Sequence, residues 1–578
     1  MAQLPLFYKN GKAVGPGGSV KRWKDVYLLV IILVAFMVIL SGIVWFVPIP
    51  EEGVTYEETA ARFEGLGVSS ASQTEAPIED PNQSQHLPQP EQFNPHLDSP
   101  ADVKVDVPKA SVEEPGGAAR VDHTTAVPAG SSHESNVVTE ETAASDEQNK
   151  HGKEDTARRR KVVEMIKLAW DGYENLDTLY IAGLTEEFNR ATEWVKSSLD
   201  ISKVYSDVSV FEYNIRFVGG LLSAYALSKN EMFLKKAEEV AIKLLPAFGT
   251  STGIPYAIIN PATGSAKNWG WASGGSSILA EFGSLHLEFQ YLTYATKKPV
   301  YLEKVETIRK RLKELDKPDG LYSNFVNPHN GQWASSHMSI GALGDSFYEY
   351  LLKSWLGTSK ADTEARDMYY AAVDGILNKL VRKSSNGLTM LVDLRNGMMD
   401  GKMQHLACFA GGMLALGGAH AINGNGARYL EAGKEVTRTC HESYRGTASK
   451  LGAEAFEFEG NDPVTRTNER MYLLRPETVE SFFVMWRLTH NQMYRDWGWE
   501  VVQALEEQCK TDAGYSGIRD VYSNHGDKDD VQQSFFLAET LKYLLLLFSD
   551  DSVIPLDSWV FNTEAHPFPV LPTVPQRK

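Results

Sequence analysis

Gly220-Leu221-Leu222-Ser223-Ala224-Tyr225, the polar turn Ser228-Lys229-Asn230 and the run Phe233-Leu234-Lys235-Lys236-Ala237-Glu238-Glu239 set out the unit from which the chain is built. The first run is apolar nearly all round, as a helix buried on every side must be. The second carries a polar stripe, which suits a helix with one face in water. The couple returns at Leu287-Glu288-Phe289-Gln290-Tyr291-Leu292 before Tyr301-Leu302-Glu303-Lys304-Val305, and at Tyr348-Glu349-Tyr350-Leu351-Leu352 before Met368-Tyr369-Tyr370. Phe483-Val484-Met485-Trp486-Arg487-Leu488 before Tyr494-Arg495-Asp496-Trp497-Gly498-Trp499 is another copy, and Leu541-Lys542-Tyr543-Leu544-Leu545-Leu546-Leu547-Phe548 reads as a last inner member. Helical hairpins at irregular spacing, with long Gly- and Pro-bearing connections such as 249–275, fit an all-α toroid of inner and outer helices better than a solenoid of short uniform repeats. An irregular helical bundle is the competing reading of the pattern.

Outward from these couples the chain changes character. Its 578 residues hold 57 basic and 75 acidic side chains, a net charge of −18, which argues against a nucleic-acid binder. Three cysteines exclude a disulfide scaffold and any multi-cysteine metal site; one bridge is possible, with one thiol left over. Residues 1–25 form a short basic tail with Lys9, Lys12, Lys21, Arg22 and Lys24 against Asp25. No charged residue occurs over 26–47, a run long enough to cross a bilayer as a helix and ending at the interfacial Trp45-Phe46-Val47-Pro48. The basic residues ahead of it predict a cytoplasmic N-terminus, with everything from Pro48 onward lumenal or extracellular. Residues 48–155 read as a disordered acidic stem: 51–155 alone carry 22 acids, 6 bases and nine prolines but few aromatics. Asn82-Gln83-Ser84 is a glycosylation sequon within it. The remainder, 156–578, carries a net of only −6 and ten of the twelve tryptophans, and is expected to be the folded domain.

Several inner runs begin with an acid: Glu212, Glu281, Asp345, Glu477 with Glu480, and Glu539. Acids in a first helical turn complement the helix dipole, so any one alone is unremarkable as chemistry. Five such starts, on helices that run parallel, would converge on one rim of a cavity. Carboxylates with tryptophan and phenylalanine in a concave site are what sugar hydrolysis requires, one acid protonating the leaving oxygen and another activating water or attacking carbon. There is no Gly-Xaa-Ser-Xaa-Gly elbow, no His-Glu-Xaa-Xaa-His zinc motif and no phosphate-binding loop. His405 reads equally as a core histidine or a substrate contact.

Arg475-Pro476-Glu477-Thr478-Val479-Glu480-Ser481, Phe561-Asn562-Thr563-Glu564-Ala565-His566-Pro567, Asp345-Ser346-Phe347-Tyr348-Glu349-Tyr350 and Ser534-Phe535-Phe536-Leu537-Ala538-Glu539-Thr540 resemble the class I α-1,2-mannosidases, glycoside hydrolase family 47. The resemblance runs from about Arg158 to Pro567. It implies an (α/α)7 barrel closed by a small β-hairpin, and inverting, calcium-dependent removal of terminal α-1,2-linked mannose from high-mannose N-glycans. By motif, Glu212 matches the acid acting through a water and Glu477 the base. Asp345 matches a third essential carboxylate for which either role has been argued. Thr563 matches the residue that binds Ca2+ directly, and Glu281, Glu454, Glu480, Glu539 and Glu564 match carboxylates that hold waters and sugar hydroxyls around it. Arg216, His405 and Phe535 match substrate contacts. Cys408 and Cys440 match the family disulfide, which leaves Cys509 unpaired.

Two positions say more. Leu343, two residues before Asp345, matches the leucine of Golgi members rather than the arginine of endoplasmic-reticulum members. It implies trimming toward five mannoses and residence as a single-pass type II protein of the Golgi membrane. Between Trp170-Asp171-Gly172-Tyr173 and Glu174-Asn175-Leu176-Asp177-Thr178 the chain lacks a segment that family members carry, and Glu174 stands where they have an active-site aspartate. That departure motivates an alternative, a catalytically impaired or silent glycan-binding relative. A third reading is a tethered structural scaffold.

Overall fold

The computed structural model describes residues 8–9, 12–13, 137–170, 175–460 and 462–572. The expected membrane segment 26–47, the sequon at Asn82 and Glu174 lie outside the described residues. No helix among the described residues is long and apolar enough to cross a membrane. The molecule is rich in helices, with a few short strands.

The two kinds of helix follow from composition. Helix α1 spans Val137–Ala169, α2 Leu176–Ala182, α3 Thr185–Ser198, α4 Gly219–Ser228 and α5 Glu231–Leu244. Helix α4 is buried on almost every face, whereas α5 buries Phe233, Leu234, Ala237, Val240, Ala241 and Leu244 on one side. Lys229 turns left-handed to end α4, and the Asn230 side chain caps α5 by accepting the Met232 N–H at 3.1 Å. The pattern continues with α6 His286–Thr296, α7 Val300–Glu314, α8 Asp345–Gly357, α9 Thr363–Lys379, α10 Ala410–Ala419 and α11 Gly426–Arg445. Helices α12 Glu477–Thr489, α13 Met493–Ala504 and α14 Lys542–Leu547 complete it.

Among the described residues seven couples form. Even-numbered α2 to α12 each pack against the odd-numbered helix that follows, and α14 packs against α1. The even-numbered helices also touch one another in order, and the turn Phe536–Leu541 leading into α14 touches α2, so the neighbour order closes on itself. The expected couples at 220–239, 287–305, 348–370 and 483–499 are all present. Missed from periodicity were α2 with α3, and α10 with α11. Helix α10 is small and glycine-rich, and a Cβ on Gly433 of α11 would come within 2.6 Å of the Gly411 carbonyl oxygen, so the two backbones meet where side chains normally would. Cys408 and Cys440 are bonded across this couple, and Cys509 is free and buried.

Helix α1 runs through the stem boundary expected at 155/156. Asp155 on it is buried, 2.6 Å from an Arg495 guanidinium nitrogen and 3.5 Å from Arg158. Arg495, itself largely buried, takes from Asp155 a counter-charge that this helix supplies, while Arg158 on the same helix reaches Asp496 at 3.0 Å. At the other end of the sequence Trp559–Phe561 pairs with Pro567–Pro569 as an antiparallel hairpin, in register Phe561 with Pro567. It inserts among the inner helices: the Phe561 ring meets Phe483 of α12 and Tyr543 of α14, and Phe568 stacks on Tyr291 of α6.

Candidate active site

Each outer helix returns the chain, so the inner helices run the same way and their first turns gather at one end. Short strands brace those turns: Val208–Ser209 leads directly to Glu212, Ser277–Ile278 to Glu281 and Lys402–Gln404 to His405. The Ser209 hydroxyl accepts the Glu212 N–H at 3.2 Å. Glu212 then enters a π-helical stretch, Tyr213–Val218, a widened turn of the kind that collects at functional sites. Arg216 within it donates Nε–H to Glu212 at 2.7 Å and its NH1 to Ser534 at 2.9 Å and to Glu564, so one guanidinium spans the first inner motif and the hairpin turn.

His405 and Arg475 hold Glu477. His405 Nδ1 lies 2.8 Å from its carboxylate and Nε2 lies 2.6 Å from the Tyr444 hydroxyl, so both ring nitrogens of this buried histidine are engaged. Arg475 is 3.9 Å away and is itself locked by Glu454 through two hydrogen bonds of 2.6 and 2.7 Å. Burial pushes the Glu477 carboxyl up, but His405 and Arg475 outweigh it and hold the pKa below the ordinary value. Asp345 behaves oppositely: burial, with the charges of Glu349 and Glu477 beside it, pushes it up to about 7.

Glu281, Glu480 and Glu539 are pushed up as well. Burial raises Glu281 to about 8, with the Glu212 charge adding and the Trp269 indole N–H at 2.8 Å opposing. Glu480 rises to about 8 through burial despite Lys353, and Glu539 rises well above its usual range through burial beside Glu564, Glu477 and Glu480. The site thus gathers more carboxyls than cations, all with oxygen donors. Phe535 is buried at its edge, 6.0 Å from the Arg475 guanidinium.

Thr563 sits in a turn held from two sides. Asn562 donates to the Ile215 carbonyl at 2.9 Å and to Glu288 at 2.7 Å, and accepts the Glu564 and His566 N–H groups. Tyr350 donates to Glu288 at 2.7 Å and receives the Thr563 N–H at 3.3 Å. Beneath, Asp177 accepts from Lys542 at 2.8 Å and Ser223 at 3.0 Å and meets His566 Nδ1 at 2.9 Å, while Lys542 also donates to the Ala565 carbonyl.

A model of glycosyl hydrolase family 47 matches residues 154–570. The chain belongs to that family. Within family 47 it is 53% identical over 448 residues to a Drosophila melanogaster mannosyl-oligosaccharide alpha-1,2-mannosidase IA, covering 72% of this chain and 67% of the relative. It is 52% identical over 449 residues to the human mannosyl-oligosaccharide 1,2-alpha-mannosidase IB, covering 72% and 70%. The α-1,2-mannosidase of Trichoderma reesei superposes with a TM-score of 0.65 at 28% identity, over 73% of this chain and 99% of that one.

For this family 47 chain the structure brings several of the motif residues together. Glu212, Arg216 and Glu564 are joined directly, and Asp345, Glu477, Glu480 and Glu539 lie within mutual electrostatic reach. Leu343 is half-buried in a small apolar cluster with Ala272, Ile278 and Phe325. Reading the sequence passed over Arg475, Tyr444, Glu288, Tyr350, Trp269 and the Asp177–Lys542–His566 group. Arg475, Tyr350, Asp177 and His566 stood inside quoted stretches without being singled out; the others gave no local signal, since a polar side chain inside an apolar helix reads as core.

Proposed function

We propose that the chain is a calcium-dependent, inverting mannosyl-oligosaccharide α-1,2-mannosidase that trims high-mannose N-glycans toward the five-mannose form. Its architecture is an (α/α)7 barrel filled at one end by the 559–569 hairpin. A type II anchor over 26–47 and a stem hold it in the Golgi membrane with the site in the lumen.

One observation carries the reading: Glu477 is kept ionised by His405 and Arg475, while Asp345 and the neighbouring acids are pushed toward their protonated forms. That split supplies the ionised base that glycoside hydrolysis requires; the acid role falls to Glu212 by its motif and its exposure. Glu477 takes a proton from the attacking water. Glu212, whose side chain is 41% exposed and is aligned by Arg216, delivers a proton to the leaving oxygen through a second water. Asp345 stays with Glu477 on the reacting sugar, and the Phe535 ring packs against its face.

The donors fit calcium. Among the described residues no group of three or more His, Cys, Asp or Glu could hold a metal directly. A hard cation would instead take the oxygens of Thr563, with its waters held by Glu480, Glu539 and Glu564. The mutual repulsion that raises Glu539 is what a divalent charge would relieve. When bound, the ion would orient the hydroxyls of the terminal mannose and favour its distorted ring.

The test uses the lumenal part with all of α1 retained, supplied with a nine-mannose glycan in calcium and then in chelator. Mannose release that requires calcium supports the proposal. Glycan binding without release overturns it in favour of the silent relative, the reading that the shortened passage through Glu174 motivates. For topology, a mobility shift on removing an N-glycan from Asn82 in the full-length chain marks the stem as lumenal; its absence after Asn82→Gln is the control.

A further inference from the structure

The loop that presents Leu343 is held from outside the reacting site. Leu343 has a φ of +78°, a left-handed conformation that leucine keeps only where neighbours fix it. Its carbonyl accepts the Ala280 N–H at 3.0 Å, next to Glu281. The preceding Ala342 donates its N–H to Gln404 Oε1 at 3.0 Å, and Gln404 donates from Nε2 to Asp393 at 3.3 Å. Asp393 is buried, and its carboxylate also accepts from the Ser339 hydroxyl at 2.6 Å and Arg395 at 3.2 Å and lies 2.9 Å from His337 Nε2. Ser339 in turn accepts the Gly341 N–H at 2.9 Å. Asp393 therefore grips the start of the loop through Ser339 and its middle through Gln404. A charged acceptor fixes which end of the Gln404 amide faces Ala342.

We infer that Asp393, acting through Gln404, is a positioning residue for branch selection: it fixes where the Leu343 side chain stands, and so which branch mannose of the glycan is accepted. The inference rests on the glycosidase reading above. Asp345 at the reacting site is held separately, by the Gly341 carbonyl that accepts its N–H at 3.0 Å and by α8, which it opens; Leu343 matches the position that, by the family resemblance, faces the sugars beyond the terminal one.

Gln404→Glu keeps an acceptor for Ala342 but sets a second carboxylate against Asp393. The double variant Asp393→Asn/Gln404→Glu restores an N–H···O link of reversed polarity. Each is compared with wild type by melting temperature, amide exchange over 339–345, turnover of α-1,2-linked mannobiose and the ratio of eight-mannose isomers formed first from the nine-mannose glycan. Gln404→Glu should speed exchange in the loop and change the isomer ratio by about fivefold, the worth of one neutral hydrogen bond. Mannobiose turnover should change less than the isomer ratio, and the double variant should restore the ratio. An unchanged ratio despite faster exchange overturns the inference, as does an equal fall on mannobiose and glycan. A wild type that leaves both substrates whole overturns the glycosidase reading, and the branch role with it. Should Gln404→Glu not fold, Gln404→Met removes both hydrogen bonds without adding charge and is held to the same outcomes.

Discussion

Replacing Lys542 with methionine should cost the folded domain about 3–5 kcal/mol, the usual penalty for removing one partner of a buried ion pair. Asp177, Lys542 and His566 are wholly buried. Burial alone would raise the Asp177 carboxyl, yet the charges and hydrogen bonds of His566 and Lys542 hold it well below the ordinary carboxylate range. Burial lowers the pKa of both Lys542 and His566. Methionine keeps most of the lysine stem's packing, removes the ammonium 2.8 Å from Asp177 and releases the Ala565 carbonyl. An unfolding entropy of about 2.1 cal/mol/K per residue over roughly 430 residues converts the penalty into a fall of about 3–6 °C in melting temperature. The pH dependence has a definite sign. A carboxyl depressed on folding stabilises above its unfolded pKa, 3.8 for a reference aspartate, and that stability drains away as the pH falls below it. Wild type should therefore weaken steadily from about pH 5 downward, and Lys542→Met should show a shallower acid slope. Scanning calorimetry at matched scan rate and a pH series of melts read both effects. Asp177→Asn/Lys542→Met, with neither charge left, should regain most of the loss. A single variant within about 1 °C of wild type, or a double variant no better than the single, would refute the reasoning.

Three further outcomes are open to measurement. His405→Phe removes the strongest influence opposing the burial of Glu477, so the base pKa should rise; kcat/KM below it should fall about tenfold per pH unit, and an unmoved acid limb would count against Glu477 as base. A fragment beginning at 156 lacks Asp155 and takes from the largely buried Arg495 its carboxylate at 2.6 Å, so it should melt below one that retains all of α1 by about 1–3 °C; equal melting would show the part of α1 ahead of Thr156 to be dispensable. Cys408→Ala/Cys440→Ala opens a link of sequence separation 32 and should lower stability by about 4 kcal/mol; a melt unchanged from wild type would show the α10–α11 couple to be held by packing alone.

Local pattern was enough for much of the architecture. An inner helix such as α8 or α12 must be apolar all round and an outer one such as α5 striped, and that difference is written residue by residue. Helices α10 and α11 escaped because their close packing depends on glycines, which carry no hydrophobic signal. The stretch of α1 ahead of Thr156 escaped because the partner of its Asp155 is Arg495, 340 residues away. Within the site, acids at helix starts were visible from position alone, since each opens or sits at the start of an apolar run.

The sequence by itself determined the couples of helices, the carboxylates at their mouths and the family motifs around Asp345, Glu477 and Thr563. Only the tertiary structure decided what those carboxylates are. Glu477 is held below its ordinary pKa because His405 and Arg475 meet it, whereas Asp345 is pushed up to about 7, because burial beside Glu349 and Glu477 leaves it too little cation. Only the fold joins Asp177 to Lys542 and His566 across 365 and 389 residues, and so seats the turn that carries Thr563. A helix propensity is a property of neighbours along the chain; a pKa and a buried charge are properties of neighbours in space.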